Sequence, residues 1–253
     1  MLVGAEPFAH EGSDDIGVLL CHGFTSTPQS MRAWAEHLAE AGCTVRCPLL
    51  PGHGSRWQDL NRTTWHDWYG AVERELDELR GRCRSVFVFG LSMGGTLTLR
   101  LAEEHPDIAG IVLVNPSVMT LRKEAKLLPV ISRVVPSLAA IAGDIAKPDV
   151  VELAYSRLPL RGMASLQQLW REVREDLGAV RQPLLLLHSA TDHVVEPENS
   201  EIVLNEVSSE DVTEVVLGDS YHVATLDHDA PRIFSDSVDF AHRVHDERVK
   251  EFA

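Results

Sequence analysis

Short apolar runs alternate along this chain with stretches in which apolar residues recur every third or fourth position. Ile16–Cys21 is the first run and reads as a strand ending at His22-Gly23. Residues 28–41 then place Met31, Trp34, Ala35 and Leu38 at helical spacing, with Pro28 near the start and Gly42 just past the end. The same alternation predicts strands at 44–50, 85–89, 110–115, 183–188 and 213–217, and helices at 65–79, 92–105, 199–207 and 231–244. Strand and helix in turn imply parallel crossovers, hence an α/β, mostly parallel, doubly wound sheet with helices on both faces. Residues 118–180 break the rhythm. They contain no repeat or Pro/Ser-rich linker, so the chain reads as one domain over 1–253 with a small helical cap at about 118–180.

In such a sheet ligands sit at the carboxyl ends of the strands. Four polar residues, His22, Ser92, Asp192 and His222, each follow a predicted strand. Ser92 lies in Gly90-Leu91-Ser92-Met93-Gly94, a G-x-S-x-G turn between strand and helix. A serine on that sharp turn needs small neighbours, because the backbone is strained and closely packed. A glycine-rich turn containing a serine by chance is the plainer reading; the strand before and the helix after favour a nucleophile.

A serine hydroxyl needs an imidazole to take its proton and a carboxylate to orient that imidazole. Of the 12 histidines, His222 in Gly218-Asp219-Ser220-Tyr221-His222 falls in the turn after the last strand, and is the candidate base. His228, His242 and His245 lie further on, in helix or tail. Asp192 closes the strand at 183–188 and keeps the order Ser, Asp, His along the chain. Asp219 and Asp227 are its rivals: the first leaves its strand only three residues before the base, and the second lies beyond it. His193, next to Asp192, reads as an ordinary loop residue. The oxyanion of a tetrahedral intermediate would be met by the backbone N–H groups of Met93 and of Phe24, the latter in the loop His22-Gly23-Phe24-Thr25. His22 and His53 read as braces beside the pocket. No histidine or cysteine spacing completes a metal motif, and no metal or cofactor is expected.

Composition narrows the partners. The net charge of −15 argues against nucleic acid. The segment 118–180, with nine Lys/Arg and seven Asp/Glu, is the exception in an acidic chain. The first 11 residues lack a basic, apolar leader pattern, and no apolar run is long enough to span a membrane. Four cysteines, Cys21, Cys43, Cys47 and Cys83, read as reduced, buried thiols, which suits the cytoplasm.

Taken together, His22-Gly23-Phe24-Thr25, Pro51-Gly52-His53-Gly54, Gly90-Leu91-Ser92-Met93-Gly94-Gly95, Asp192-His193-Val194-Val195 and Ser220-Tyr221-His222-Val223-Ala224-Thr225-Leu226-Asp227 resemble the α/β-hydrolase superfamily. Within it the chain is most similar to small bacterial carboxylesterases and monoacylglycerol lipases. The resemblance implies an α/β-hydrolase fold with its cap inserted after the sixth strand. It also implies hydrolysis of medium-chain acyl esters, monoacylglycerols included, through an acyl-enzyme. In the monoacylglycerol lipases an acidic residue follows an Ala-Tyr pair of the cap and faces the glycerol; after Ala154-Tyr155 this chain has Ser156, a weaker partner for a hydroxyl.

The cap from 127 to 141 is rich in Leu, Ile and Val and interrupted by Pro129 and Pro136, which predicts short broken helices. Leu127, Ile131, Leu138 and Ile141 are the expected wall of an acyl-chain tunnel, although sealing the cap would account for most of these side chains. Arg122, Lys123, Lys126 and Arg133 either solvate a helix face or draw the opening towards anionic lipid, a transient contact. The partner expected is a small-molecule ester. Acyl transfer, or cleavage of an amide, thioester or carbon–carbon bond by the same residues, stays open, as does a binding protein on a retained hydrolase fold.

Overall fold

A computed structural model describes residues 1–140 and 143–251. Seven strands form one sheet in the order β1-β3-β2-β4-β5-β8-β9: β1 (Phe8–His10), β2 (Ile16–Cys21), β3 (Thr44–Cys47), β4 (Ser85–Leu91), β5 (Gly110–Val114), β8 (Leu184–Ser189) and β9 (Val212–Leu217). Only β1 runs antiparallel, against β3. Every residue of β2, β4 and β5 is buried, as parallel strands covered on both faces require.

Alternation along each strand divides the core in two. Leu19, Val88, Ile111 and Leu186 point to the face covered by α3 (Trp65–Arg80) and α4 (Met93–Glu104). Val18, Phe87, Phe89, Val112 and Leu187 point to the opposite face, under α1 (Arg32–Glu40) and α8 (Ala230–Glu251). The helices offer the matching stripes: Trp34, Ala35 and Leu38 on α1, and Trp65, Trp68, Tyr69, Val72, Leu76 and Leu79 on α3. The Asp67 carboxylate closes the start of α3 by accepting from the Thr64 N–H at 2.7 Å. The short helix α2 (Trp57–Leu60) precedes it, and α7 (Glu198–Glu206) joins β8 to β9.

The cap leaves the sheet after the fifth strand, not the sixth. The count differs because the amino-terminal end contributes a single antiparallel strand, β1, before the parallel series starts. The cap's first half is broken, as its prolines predict: a tight turn at Lys123–Leu127 runs into the single-turn α5 (Leu128–Ile131). Residues 137–139, inside the stretch expected to form broken helices, are instead a strand, because they pair with residues far along the chain. A two-stranded hairpin of β6 (Ser137–Ala139) and β7 (Arg157–Pro159) leads into the 17-residue α6 (Leu160–Asp176), which packs on α3 and α4. All four cysteines are buried and unpaired, and burial raises the Cys21 thiol to about 12 and Cys43 to about 11. Among the described residues no helix is long and apolar enough to cross a membrane.

Candidate active site

The turn from β4 into α4 is set by what cannot be there. A Cβ on Gly94 would strike the Cys21 carbonyl oxygen, and one on Gly90 would strike the backbone of Gly94. Strand and helix therefore approach closely, and the residue between them takes the bend: Ser92 has φ 57° and ψ −119°. A side-chain-bearing residue there stores about 1–3 kcal/mol of strain. The payoff is position, because Ser92 projects at the carboxyl edge of the sheet and lines a cavity of about 450 Å³ under the cap. Gly23 lies against it, with room for a Cβ only at 3.5 Å from the Ser92 Cβ. Phe24 lines the same cavity, and Met93 opens α4 with its N–H at the helix start. Among the described residues neither N–H is engaged in a backbone hydrogen bond.

His22 is buried behind this loop. Its Nε2 accepts from the Leu50 N–H at 3.2 Å, so Nδ1 carries the proton and donates to the Gly23 carbonyl at 3.0 Å. Burial lowers its pKa to about 4, which keeps the ring neutral. The His53 ring packs edge-on against it at 5.0 Å and against Phe24 and Trp68. Both histidines brace the loop from behind, and neither lines the cavity.

On the other side of the cavity, Asp192 Oδ2 and His222 Nδ1 are 2.7 Å apart. The other oxygen, Oδ1, accepts from the Val194 and Val195 N–H groups, both at 2.8 Å. Burial alone would raise the Asp192 pKa, yet His222 and these two N–H groups hold it below the ordinary carboxylate value. Burial likewise opposes charge on His222, but Asp192, with Glu152 and Asp144 behind it, lifts the imidazole above its usual 6.5. Nδ1 is committed to Asp192, which leaves Nε2 for the cavity that His222 also lines. No hydrogen bond among those of the described residues joins Ser92 Oγ to this ring, a contact that commonly tightens only around a reacting group.

The rival acids sit elsewhere. Asp219 is exposed, and its own N–H donates to Asp229. Asp227 is buried at 1% exposure, and its carboxylate accepts four backbone N–H groups, from Tyr221, Ala146, Lys147 and His228. The loop carrying His222 is also pinned to the sheet. Asn115, at φ 44°, donates to the His222 carbonyl at 2.8 Å and accepts from the Ser189 N–H at 2.7 Å. Neither Asn115 nor Ser189 carried a sequence signal, since their partners are 32 or more residues away.

Of the expected cap wall, Ile131 and Leu138 line the cavity, whereas Leu127 and Ser156 do not. Leu128 and Ile131 share one face of the α5 turn and look inward, which turns Leu127 and Val130 outward, 60% and 65% exposed. Ser156 sits at a bend just before β7, on the solvent side of Tyr155. Tyr155 is buried, its hydroxyl donating to the Gly52 carbonyl at 2.8 Å, and Ser156 is exposed. Ile141 lies outside the described residues. The apolar wall also includes Met163, Leu166 and Trp170 of α6, and the acidic residues that line the cavity are Glu124, Asp144, Glu152 and Glu196.

Among the described residues one trio has metal-ligand spacing, Glu73, Glu104 and His105. It lines no part of the cavity, and Arg80 and Arg100 already lie against His105 and Glu104.

A profile of the Hydrolase_4 family, described as serine aminopeptidase, S33, matches residues 13–229. The chain belongs to that family. It is 46% identical to a thermostable monoacylglycerol lipase of Bacillus sp. over 95% of both chains. It is 28% identical to a carboxylesterase of Bacillus subtilis, over 96% of this chain and 98% of that one. A solved structure reported for LipS and LipT, two metagenome-derived lipolytic enzymes, superposes with a TM-score of 0.93 at 38% identity, covering 96% of this chain and 99% of that one. The monoacylglycerol lipase of Paleococcus ferrophilus shares the fold at a TM-score of 0.79 and 22% identity, over 94% and 99% of the two chains. The α/β-hydrolase fold and the membership of a serine hydrolase family therefore stand together for this protein.

Proposed function

We propose that this serine hydrolase cleaves carboxylic esters, with Ser92 as nucleophile, His222 as general base and Asp192 as the carboxylate that fixes the imidazole. One observation carries the reading: His222, 2.7 Å from the Asp192 carboxylate, lines the same cavity as a serine held at a strained backbone angle. His222 Nε2 takes the Ser92 proton as Oγ bonds to the ester carbonyl carbon. The carbonyl oxygen becomes an oxyanion served by the Phe24 and Met93 N–H groups. The alcohol departs with the proton from His222 and leaves acyl-Ser92, and water repeats the sequence to release the acid. Asp192 holds the proton on Nδ1 throughout and stabilises the imidazolium as it forms.

The acyl group suits the apolar wall of Leu128, Ile131, Met163, Leu166 and Trp170. Each CH₂ enclosed contributes about 0.8 kcal/mol, so kcat/KM on p-nitrophenyl esters should climb several-fold per two carbons and then fall once the wall is filled. The similarity to a monoacylglycerol lipase and to a carboxylesterase supports including monoacylglycerols in that range without restricting it to them. A fluorophosphonate should label Ser92, read by peptide mass spectrometry, and Ser92→Ala should be inactive. An adduct elsewhere, or activity surviving in Ser92→Ala, would overturn the assignment.

We also infer a transient contact of the cap with anionic lipid. Leu121, Leu127, Val130, Val134 and Leu138 are all more than half exposed beside the cavity. Residues 118–140 around them carry four Lys/Arg and one Glu in a chain of net charge −15. Sedimentation with phosphatidylglycerol vesicles, but not phosphatidylcholine vesicles, is the expected result, lost in Lys123→Glu/Lys126→Glu. Four buried, unpaired thiols suit a reducing compartment such as the cytoplasm.

A further inference from the structure

The loops that carry Asp192 and His222 do not touch the sheet alone. Asp144, in the cap, has its carboxylate 10% exposed and directed at both of them. Oδ1 lies 2.8 Å from His193 Nδ1, and Oδ2 accepts the N–H of His193 at 3.1 Å and that of His222 itself at 3.2 Å. The Asp144 backbone carbonyl accepts a fourth bond, from the Val223 N–H at 3.0 Å. Just beyond, Asp227 reaches the other way, from the His222 loop into the cap, to the N–H groups of Ala146 and Lys147. One carboxylate from each side thus crosses the seam between cap and base loop.

We propose that Asp144 is a positioning residue that uses the cap to hold the acid loop and the base loop in register. The proposal rests on the triad reading given above. A carboxylate that binds the residue after the acid and the backbone of the base sets the distance between the two loops, and hence the Asp192–His222 bond. It also adds negative charge beside the imidazole, together with Asp192 and Glu152. The cap is then part of the catalytic alignment as well as the wall of the cavity.

Three variants test this on the full-length protein with a p-nitrophenyl ester. Asp144→Ala should lower kcat about 10- to 100-fold with KM within about threefold, since small misplacements of reacting groups cost that much. Its kcat/KM profile should lose activity at lower pH than the parent, because a charge favouring imidazolium has gone. Asp144→Asn, whose amide oxygen still accepts from both N–H groups, should recover most of kcat yet keep the displaced acid limb. His193→Ala, which spares the two backbone contacts, should cost only a few-fold. Parent kcat and an unmoved acid limb in Asp144→Ala would overturn the proposal, as would a loss confined to KM. If Asp144→Ala does not fold, the acid limb of Asp144→Asn decides alone: displaced supports, unmoved overturns. Ser92→Ala run alongside separates the two readings, because activity there refutes the triad, whereas an inactive Ser92→Ala with parent-like Asp144 variants refutes only the role of Asp144.

Discussion

The serine side and the histidine side of this cavity are held by different means. Ser92 is placed by backbone alone: Gly90 lets β4 and α4 close on each other, Gly94 lets α4 close on the end of β2, and the strain collects at one residue. The backbone of His222 is held by side chains from far along the chain, Asn115 beside the sheet and Asp144 in the cap, and its own loop is closed by Asp227. The first arrangement is rigid and tolerates no added atom. The second is a set of hydrogen bonds, each open to removal in graded steps. The lesson is that the proposed nucleophile can be fixed by a five-residue pattern, whereas the proposed acid–base pair, drawn from two loops, needs the rest of the fold to bring it together.

The contrast can be broken most sharply at the chemistry. His222→Ala and Asp192→Asn should each lower kcat by about 10⁴-fold with the fold intact, while Asp219→Asn leaves it near the parent value; steady-state kinetics with circular dichroism decides. Equal losses for Asp192→Asn and Asp219→Asn would show that the base has a different partner. A smaller but general effect is expected on the serine side. Gly94→Ala should destabilise the protein by about 3 kcal/mol or more in urea unfolding, since the new Cβ meets backbone that cannot give way. Asp227→Asn, which trades acceptor oxygen for an amide, should cost about 1–3 kcal/mol in the same assay. If Asp227→Asn proved the costlier, the histidine side would be the more rigid of the two.

The pH profile follows from the raised His222. If His222 is the base, as proposed, the neutral ring acts, so kcat/KM should fall as pH drops through a midpoint above 6.5, and the parent should be fully active on the alkaline side. A midpoint well below 6.5 would mean that burial outweighs the three carboxylates. The smallest effect concerns the alcohol. Glu152 lines the cavity and Ser156 does not, so Glu152→Gln should reduce the kcat/KM ratio of a monoacylglycerol to its matching ethyl ester by about two- to fivefold, and Ser156→Glu should leave that ratio unchanged. A large gain in Ser156→Glu would place the head group on the outer side of the hairpin.

Much of this was legible in the chain. Each of Ser92, Asp192 and His222 follows an apolar run, and the parallel-sheet rule brings strand ends together without knowledge of the packing. α6 was also readable, though only in hindsight: Pro159 precedes it, and Leu160, Met163, Leu166, Trp170 and Val173 keep a helical period that the prolines earlier in the cap obscured. β1 is three residues long, too short for any period to show. Asp144 gave no signal at all, because its partners lie 49 and 78 residues away and a lone aspartate in a loop looks like a solvated one. His193 was misleading for the same reason. It is an ordinary exposed loop residue in sequence, and in the fold it is one end of the contact between cap and acid loop.

The place where the cap leaves the sheet has a bearing on how such proteins diversify. β5 and β8 are adjacent and parallel, with Ile111 beside Leu184 and Val114 beside Leu187, so the whole cap is spliced between two strands that would pair without it. An insertion there interrupts no ladder, and lengthening a connection adds only slowly to its entropic cost. The roof of the cavity is therefore an exchangeable cassette, and substrate range can be rewritten by grafting another in its place. If Asp144 has the role proposed above, a graft that brings no carboxylate to its position and no N–H groups to Asp227 should align the proposed acid and base less well.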